Sequence, residues 1–209
     1  MPPRKLPLQN RVDPYGVLHA VAARGAWTGN RGVLHDERRR IVKPWRLERW
    51  IVCRLEFKGR RRVVFTPGRW TELFFLDEAT ALAAGHRPCA ECRREAYDAF
   101  RAAWAGPGAA SPPSAPQIDA ILQHERLTSD GGKRTYQGEL DALPDGTLVE
   151  HAGAPHLLWR GRLRPWHFDG YGPARRRSVI AGKVTVLTPP STVRALKRGY
   201  RPQVALADA

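Results

Sequence analysis

The sequence is short of cysteine, of acidic residues and of long apolar stretches, and each shortage excludes a class of protein. Three cysteines in 209 residues exclude a disulfide scaffold, which small secreted domains build from many more. No apolar run approaches the ~20 residues that cross a bilayer. The first seven residues, MPPRKLP, lack the apolar core of a secretion signal. We therefore expect a cytoplasmic protein in a reducing environment, with no membrane partner.

Acidic residues are so few that the chain carries a formal net charge of +15, with 35 Lys and Arg against 20 Asp and Glu. The excess is concentrated in residues 1–70, where 17 basic residues face 5 acidic ones. Dense positive charge favours a polyanionic partner, because each neutralised phosphate releases counterions. The alternative is an ordinary solvated surface in a chain that is rich in arginine throughout. The residues predicted to contact nucleic-acid phosphates are Arg38, Arg39, Arg40, Lys43, Arg46, Arg60, Arg61 and Arg62.

Residues 1–105 are predicted to form a small module of short antiparallel strands and two helices. Apolar residues alternate along 49–57, and we expect a return strand at 62–65 and a third strand at 72–75. Asp77 is a candidate N-cap for a first helix, which Gly85 would end. Residues 93–104 show the apolar periodicity of a second helix.

A segment rich in Gly, Pro, Ser and Ala, GPGAASPPSAP at 106–116, is typical of a flexible linker. After it, residues 117–209 predict a second, small α+β unit of unknown role. Its candidate elements are helices at 117–127 and 191–197 and strands at 147–150, 156–159 and 184–187. The expected fold class is therefore α+β throughout, in two parts joined by the linker.

The motif that carries chemistry is Gly85-His-Arg-Pro-Cys-Ala-Glu-Cys92. A helix stop and an Arg-Pro turn place Cys89 and Cys92 at the start of the next helix. Two thiolates at this spacing can hold one tetrahedral Zn²⁺, and the helix N-terminus favours their negative charge. A redox Cys-x-x-Cys would follow a strand of a βαβ unit instead. The pattern therefore favours zinc over redox chemistry, with two unliganded packing cysteines as a weaker alternative.

Over about residues 28–95 the chain resembles the metal-binding domain of the Ada alkylation-repair protein and the related zinc modules appended to some nucleases. The shared signature is an aromatic strand, an Ala-rich helix and Gly-aromatic-Arg-Pro-Cys-x-x-Cys, matched at Gly85, Arg87, Pro88, Cys89 and Cys92. His86 stands where the family has an aromatic residue. The resemblance implies a zinc site beside a DNA-contacting surface. It does not extend to the family's front Cys-x-x-x-Cys, which this chain lacks.

A structural zinc site needs two ligands beyond Cys89 and Cys92. Cys53 is the only other cysteine, and the family also takes its remaining cysteines from an upstream segment. A buried packing thiol is the alternative for Cys53. For the fourth ligand we favour His35, because the related modules carry a similar Gly-Asn segment ending in a histidine. His86 competes for the same role.

The sequence thus favours a zinc-binding protein that binds nucleic acid, with DNA the partner implied by the resemblance, in repair or defence. Two enzymatic alternatives are a zinc-thiolate methyl acceptor using Cys53 and a nucleic-acid hydrolase built on residues 117–209. A zinc-knuckle module that binds another protein is the third possibility.

Overall fold

Two β-sheets and four helices make up the part of the chain that the computed structural model describes, residues 6–59, 63–179 and 182–206. The expected α+β class is therefore confirmed. None of the helices in these described segments has the length and apolar character of a membrane span.

The first sheet contains six short strands in the order β2-β1-β5-β3-β4-β6. Their bounds are β1 Arg11–Val12, β2 Leu18–His19, β3 Trp27–Asn30, β4 Ile51–Cys53, β5 Leu73–Phe75 and β6 Arg87–Pro88. Strand β4 is much shorter than the predicted strand at 49–57, and Leu55 is 49% exposed. Residues 63–65 of the predicted return strand form no strand, and Arg62 lies outside the described residues.

The second sheet is antiparallel, in the order β11-β10-β9-β8-β13-β7, with β12 paired to β10. Its strands are β7 Tyr136–Glu139, β8 Leu148–His151, β9 Ala154–Trp159, β10 Arg162–His167, β11 Gly170–Tyr171, β12 Arg175–Arg176 and β13 Lys183–Val186. Strand β10 was not expected, because two arginines and a proline obscure its alternation. Its Leu163 and Trp166 are nonetheless buried.

The helices are α1 Glu78–Ala83, α2 Arg94–Ala105, α3 Ala115–Arg126 and α4 Pro190–Lys197. The Asp77 carboxylate accepts a hydrogen bond from the Thr80 amide at 2.8 Å, which confirms the predicted N-cap of α1. Gly85 ends this segment with φ of +90°, a conformation that favours glycine. Ser191 lies inside α4, whose N-cap is Pro189, and its hydroxyl donates to the Glu125 carboxylate at 2.6 Å.

Helix α1 packs against both sheets. Its Ala81 belongs to an apolar cluster with Leu73 and Phe75 of the first sheet. Leu76, just before α1, and Ala79, within α1, pack with Leu148, Leu157 and Trp166 of the second sheet. A third cluster joins α1 to α2, α3 and α4 through Leu82, Phe100, Ile118, Leu122 and Leu196. Helix α3 begins inside the predicted linker. Residues on both sides of 106–116 therefore contribute to common apolar clusters.

Candidate metal centre and basic surface

The first sheet places Cys53 beside the Cys-x-x-Cys turn. Strands β4 and β6 pair in parallel, with Val52 opposite Pro88, and the Cys89 amide donates to the Val52 carbonyl at 3.0 Å. Cys53 ends β4, Cys89 follows β6, and Cys92 lies two residues before α2. Strand pairing thus brings Cys53, 36 residues before Cys89, next to the Cys89–Cys92 pair.

The three sulfur atoms lie within 4.8 Å of one another and are buried. In a tetrahedral zinc site with Zn–S bonds of about 2.3 Å, two sulfurs lie about 3.8 Å apart. The donor set and its spacing therefore fit a thiophilic metal ion such as Zn²⁺.

Hydrogen bonds concentrate negative charge on one sulfur of this cluster. Thiol donors from Cys53 and Cys92, together with the amides of Cys92 and Glu91, lower the pKa of Cys89. The Glu91 amide lies 3.4 Å from the Cys89 sulfur. Hydrogen bonding to Cys89 and then to Cys92 raises the pKa of Cys53. A metal ion would take the place of the protons that these thiols share.

The structure does not bring His35 to the three cysteines. Its Nδ1 lies 2.7 Å from the Thr71 hydroxyl, its Nε2 lies 3.3 Å from the Thr66 carbonyl, and its ring stacks on Phe65. Both ring nitrogens thus have hydrogen-bonding partners away from the cysteines.

His86 also lies away from the sulfur cluster. It is fully buried and packs edge-on against Phe75, with the Arg31 Nε donating to its Nε2 at 3.3 Å. Burial, and then the charges of Arg31 and Arg126, lower the pKa of His86 well below its usual value. The neutral ring packs between the aromatic rings of Phe75 and Trp50.

The basic surface predicted from the sequence is exposed where the structure describes it. Arg38, Arg39, Arg40, Lys43 and Arg46 are all exposed. Arg60, Arg61 and Arg62 lie outside the described residues.

Asp36 orders the loop that carries this basic surface. Its carboxylate accepts from the amides of Arg38 and Arg40 at 2.9 Å each and forms an ion pair with the Arg40 guanidinium at 2.7 Å. The Arg46 amide donates to the Arg31 carbonyl at 2.9 Å. Arg40 is therefore partly neutralised, whereas Arg38 and Arg39 have no acidic partner among the ion pairs of the described residues.

Sequence reasoning missed a group of cations behind this loop, of which Arg31 and Arg126 are buried and Lys133 is half-buried. Arg31, Arg126 and Lys133 line one cavity together with Trp50. These residues lie far apart in the chain and belong to no short motif. The only local signal was the excess of arginine, which does not distinguish a buried guanidinium from an exposed one.

Comparisons with protein families, with characterised proteins and with solved structures return no match to this chain. The likeness to the Ada metal-binding domain therefore stays a prediction that depends on the residues of the Cys-x-x-Cys motif.

Proposed function

We propose that the protein binds one Zn²⁺ through Cys53, Cys89 and Cys92 and uses its basic surface to bind nucleic acid, with DNA the favoured partner. The observation that carries the proposal is the convergence of three buried sulfurs from distant parts of the chain. Unliganded packing cysteines would not need to meet in one cluster. The proposed ion would bind the three thiolates through its positive charge. It would thereby link β4, the turn after β6 and the start of α2.

The described residues offer no fourth Cys, His, Asp or Glu atom within 4.8 Å of all three sulfurs. Zinc usually takes four ligands, so in this proposal the fourth is a water molecule or a partner atom. Methyl transfer to Cys53 is not proposed. Cys53 is 4% exposed, against 7% for Cys89 and 8% for Cys92, and a phosphotriester methyl group must contact the accepting sulfur.

Exposed positive charge in one ordered loop supports the nucleic-acid part of the proposal. Neither Arg38 nor Arg39 forms an ion pair with an acidic residue in the described part of the chain, so both remain available to phosphates. Phosphate contacts of this kind are independent of sequence and weaken with salt.

The metal part is tested by elemental analysis of the purified protein. We expect one zinc per chain in the wild type and loss of zinc in Cys53→Ser and Cys89→Ser. His35→Asn is the matched control, and its retention of zinc is expected because His35 lies away from the cluster. Full zinc in Cys89→Ser would overturn the metal assignment.

The nucleic-acid part is tested by titrating duplex DNA at several salt concentrations. We expect a steep salt dependence, and the double variant Arg38→Gln/Arg39→Gln should reduce the log–log salt slope by roughly 2, about 0.9 per lost phosphate contact. Lys183→Gln/Lys197→Gln removes the same charge from two other exposed positions and should keep the wild-type slope. A salt-independent titration would remove DNA from the proposal.

A further inference from the structure

A cavity of about 430 Å³ lies between the first sheet, the basic loop and the segment after α3. Cavities of this size hold small organic ligands. Residues from eight stretches of the chain form its wall. The lining residues fall at 9, 15–18, 31, 41–45, 50, 84, 126–127 and 131–133.

Two buried arginines meet at one indole in this wall. The guanidinium carbons of Arg31 and Arg126 lie 3.9 Å and 4.0 Å from the ring centre of Trp50. Arg126 is held by the Gly85 carbonyl at 3.0 Å, and Arg31 by the Gly16 carbonyl at 2.8 Å. Both guanidinium groups are therefore fixed in place by backbone acceptors and an aromatic ring.

The positive charge in the cavity has no matching acid. Four cations line it, Arg31, Lys43, Arg126 and Lys133, and none of its described lining residues is Asp or Glu. Arg31 is 1% exposed, yet its Nη2 has no hydrogen-bond partner.

Burial lowers the pKa of Arg126, and the charges of Asp119 and Glu48 oppose this lowering. Asp13 opposes the same effect of burial on Arg31 and Lys133. Its carboxylate is already engaged by the Val17 amide at 2.9 Å and by His19 at 2.8 Å. Buried charges are normally paired, so the arrangement lacks an anion.

The pKa values of Arg31 and Lys133 are both lowered, as expected for cations without a nearby counter-charge. Burial, and then the charge of Arg126, lowers the pKa of Arg31 to about 9. Burial, and then the charge of Arg31, lowers the pKa of Lys133 to about 7. A bound anion would raise both pKa values and so favour the charged forms.

We infer that this cavity is a binding site for a phosphate monoester. Two guanidinium groups and an ammonium suit a doubly charged, multi-oxygen head group. The apolar wall, which includes Leu18, Ile41 and Trp45, would contact the organic part of the ester. The inference goes beyond the proposed function, because it needs neither zinc nor DNA binding. The ester is either a free small molecule or the phosphorylated end of a nucleic-acid strand.

The test measures binding to the full-length protein by calorimetry, with inorganic phosphate and adenosine 5′-monophosphate as probes and adenosine as the unphosphorylated control. We expect saturable binding of both phosphates and none of adenosine. Lys133→Gln should weaken binding about tenfold, since a charged hydrogen bond to the phosphate is lost. Lys183→Gln removes an exposed lysine from the second sheet and should bind as the wild type does.

A second pair of variants tests the cavity without removing any of its cations. Val42→Glu places a competing carboxylate on the cavity wall, where Val42 is 57% exposed, and should weaken phosphate binding. Val63→Glu makes the same change at a residue that is 70% exposed and outside the cavity lining, and should not. No phosphate binding by the wild type, or binding that neither Lys133→Gln nor Val42→Glu weakens, overturns the inference.

The two sources are distinguished with one oligonucleotide carrying either a 5′-phosphate or a 5′-hydroxyl. Tighter binding of the phosphorylated form, lost in Lys133→Gln, identifies a strand end. Equal binding of the two forms, with adenosine 5′-monophosphate still bound, identifies a free ester. DNA binding without any phosphate-probe binding would leave the proposed function standing and overturn this inference. The reverse result would support the cavity and remove DNA from the proposed function.

Discussion

At the scale of single residues, the ion pair between Arg87 and Asp119 connects the Cys-x-x-Cys segment to α3. The two side chains are 2% and 9% exposed and form two parallel hydrogen bonds, at 2.8 Å and 2.7 Å. Arg87 lies two residues before Cys89, so this pair holds the strand that leads into the sulfur cluster. Asp119 follows Arg87 by 32 residues and lies in the second predicted unit, residues 117–209.

Asp119→Ala should lower the free energy of unfolding by about 3–5 kcal/mol, because it leaves the Arg87 guanidinium buried without a counter-charge. Urea unfolding followed by circular dichroism measures the change. Asp98 is the control, since it pairs with Arg94 at 2.8 Å but is 46% exposed. Asp98→Ala should cost no more than about 1 kcal/mol. If the two variants lowered the free energy of unfolding equally, the expected stabilisation by a buried Arg87–Asp119 ion pair would be contradicted.

At the scale of elements, two glycines end helices in the same way but in different surroundings. Gly85 and Gly199 follow α1 and α4 with φ of +90° and +101°. A Cβ added at Gly85 would lie 2.6 Å from the Arg126 Cδ, whereas one at Gly199 would meet nothing within 4 Å. The end of α1 therefore packs directly on the aliphatic part of a cavity arginine.

Gly85→Ala and Gly199→Ala should each lower the free energy of unfolding by about 1–2 kcal/mol, because each places an alanine in the left-handed conformation. Gly85→Ala should lose at least about 1 kcal/mol more, because Arg126 must shift against its own hydrogen bonds. Chemical unfolding of both variants measures the difference. An equal loss of stability in the two variants would mean that the Arg126 side chain moves aside at no cost.

The sequence predicted these helices well and the first sheet poorly, and the difference has a physical cause. The cap at Asp77, the stop at Gly85 and the apolar face of α2 depend on residues within a few positions of one another. Strands β1, β2, β3 and β6 contain two to four residues each. Such strands are too short for a visible alternation, and distant partners stabilise them.

At the scale of the whole molecule, the shared apolar clusters and the cationic cavity both depend on contacts between distant parts of the chain. The cavity draws its cations from the loop after β3 and from the end of α3 and the residues beyond it. Its uncompensated charge opposes folding in the unliganded protein. The stability of the whole chain should therefore depend on pH through these groups.

Between pH 7 and pH 9 we expect stability to rise with pH. The folded-state pKa of Lys133 is about 7, against 10.5 when the lysine is exposed, so in this range the unfolded chain holds a proton that the folded chain lacks. The contribution is at most about 1.4 kcal/mol per pH unit. Unfolding at saturating zinc and without phosphate measures it at several pH values.

Lys133→Gln should show a smaller rise than the wild type, and the exposed-site control Lys183→Gln should follow the wild type. Saturating phosphate should flatten the wild-type profile, because the bound anion keeps Lys133 protonated. Identical profiles for the wild type and Lys133→Gln would contradict a lowered pKa of Lys133 in the folded protein. Below pH 6.5 a further loss is expected as His86, whose folded pKa is lowered by burial, takes up a proton on unfolding.

The sequence by itself determined the local parts of this protein: the basic loop, the capped helix α1, its glycine stop and the Cys89–Cys92 turn. Each is set by neighbouring residues whose backbone preferences or ligand spacing act over a few positions. The scarcity of cysteine also indicated Cys53, which the structure brings to the other two. Only the tertiary structure decided that His35 lies elsewhere and that Arg31, Arg126 and Lys133 surround one cavity. Those outcomes depend on strand pairing and packing between segments up to about a hundred residues apart, which no local pattern records.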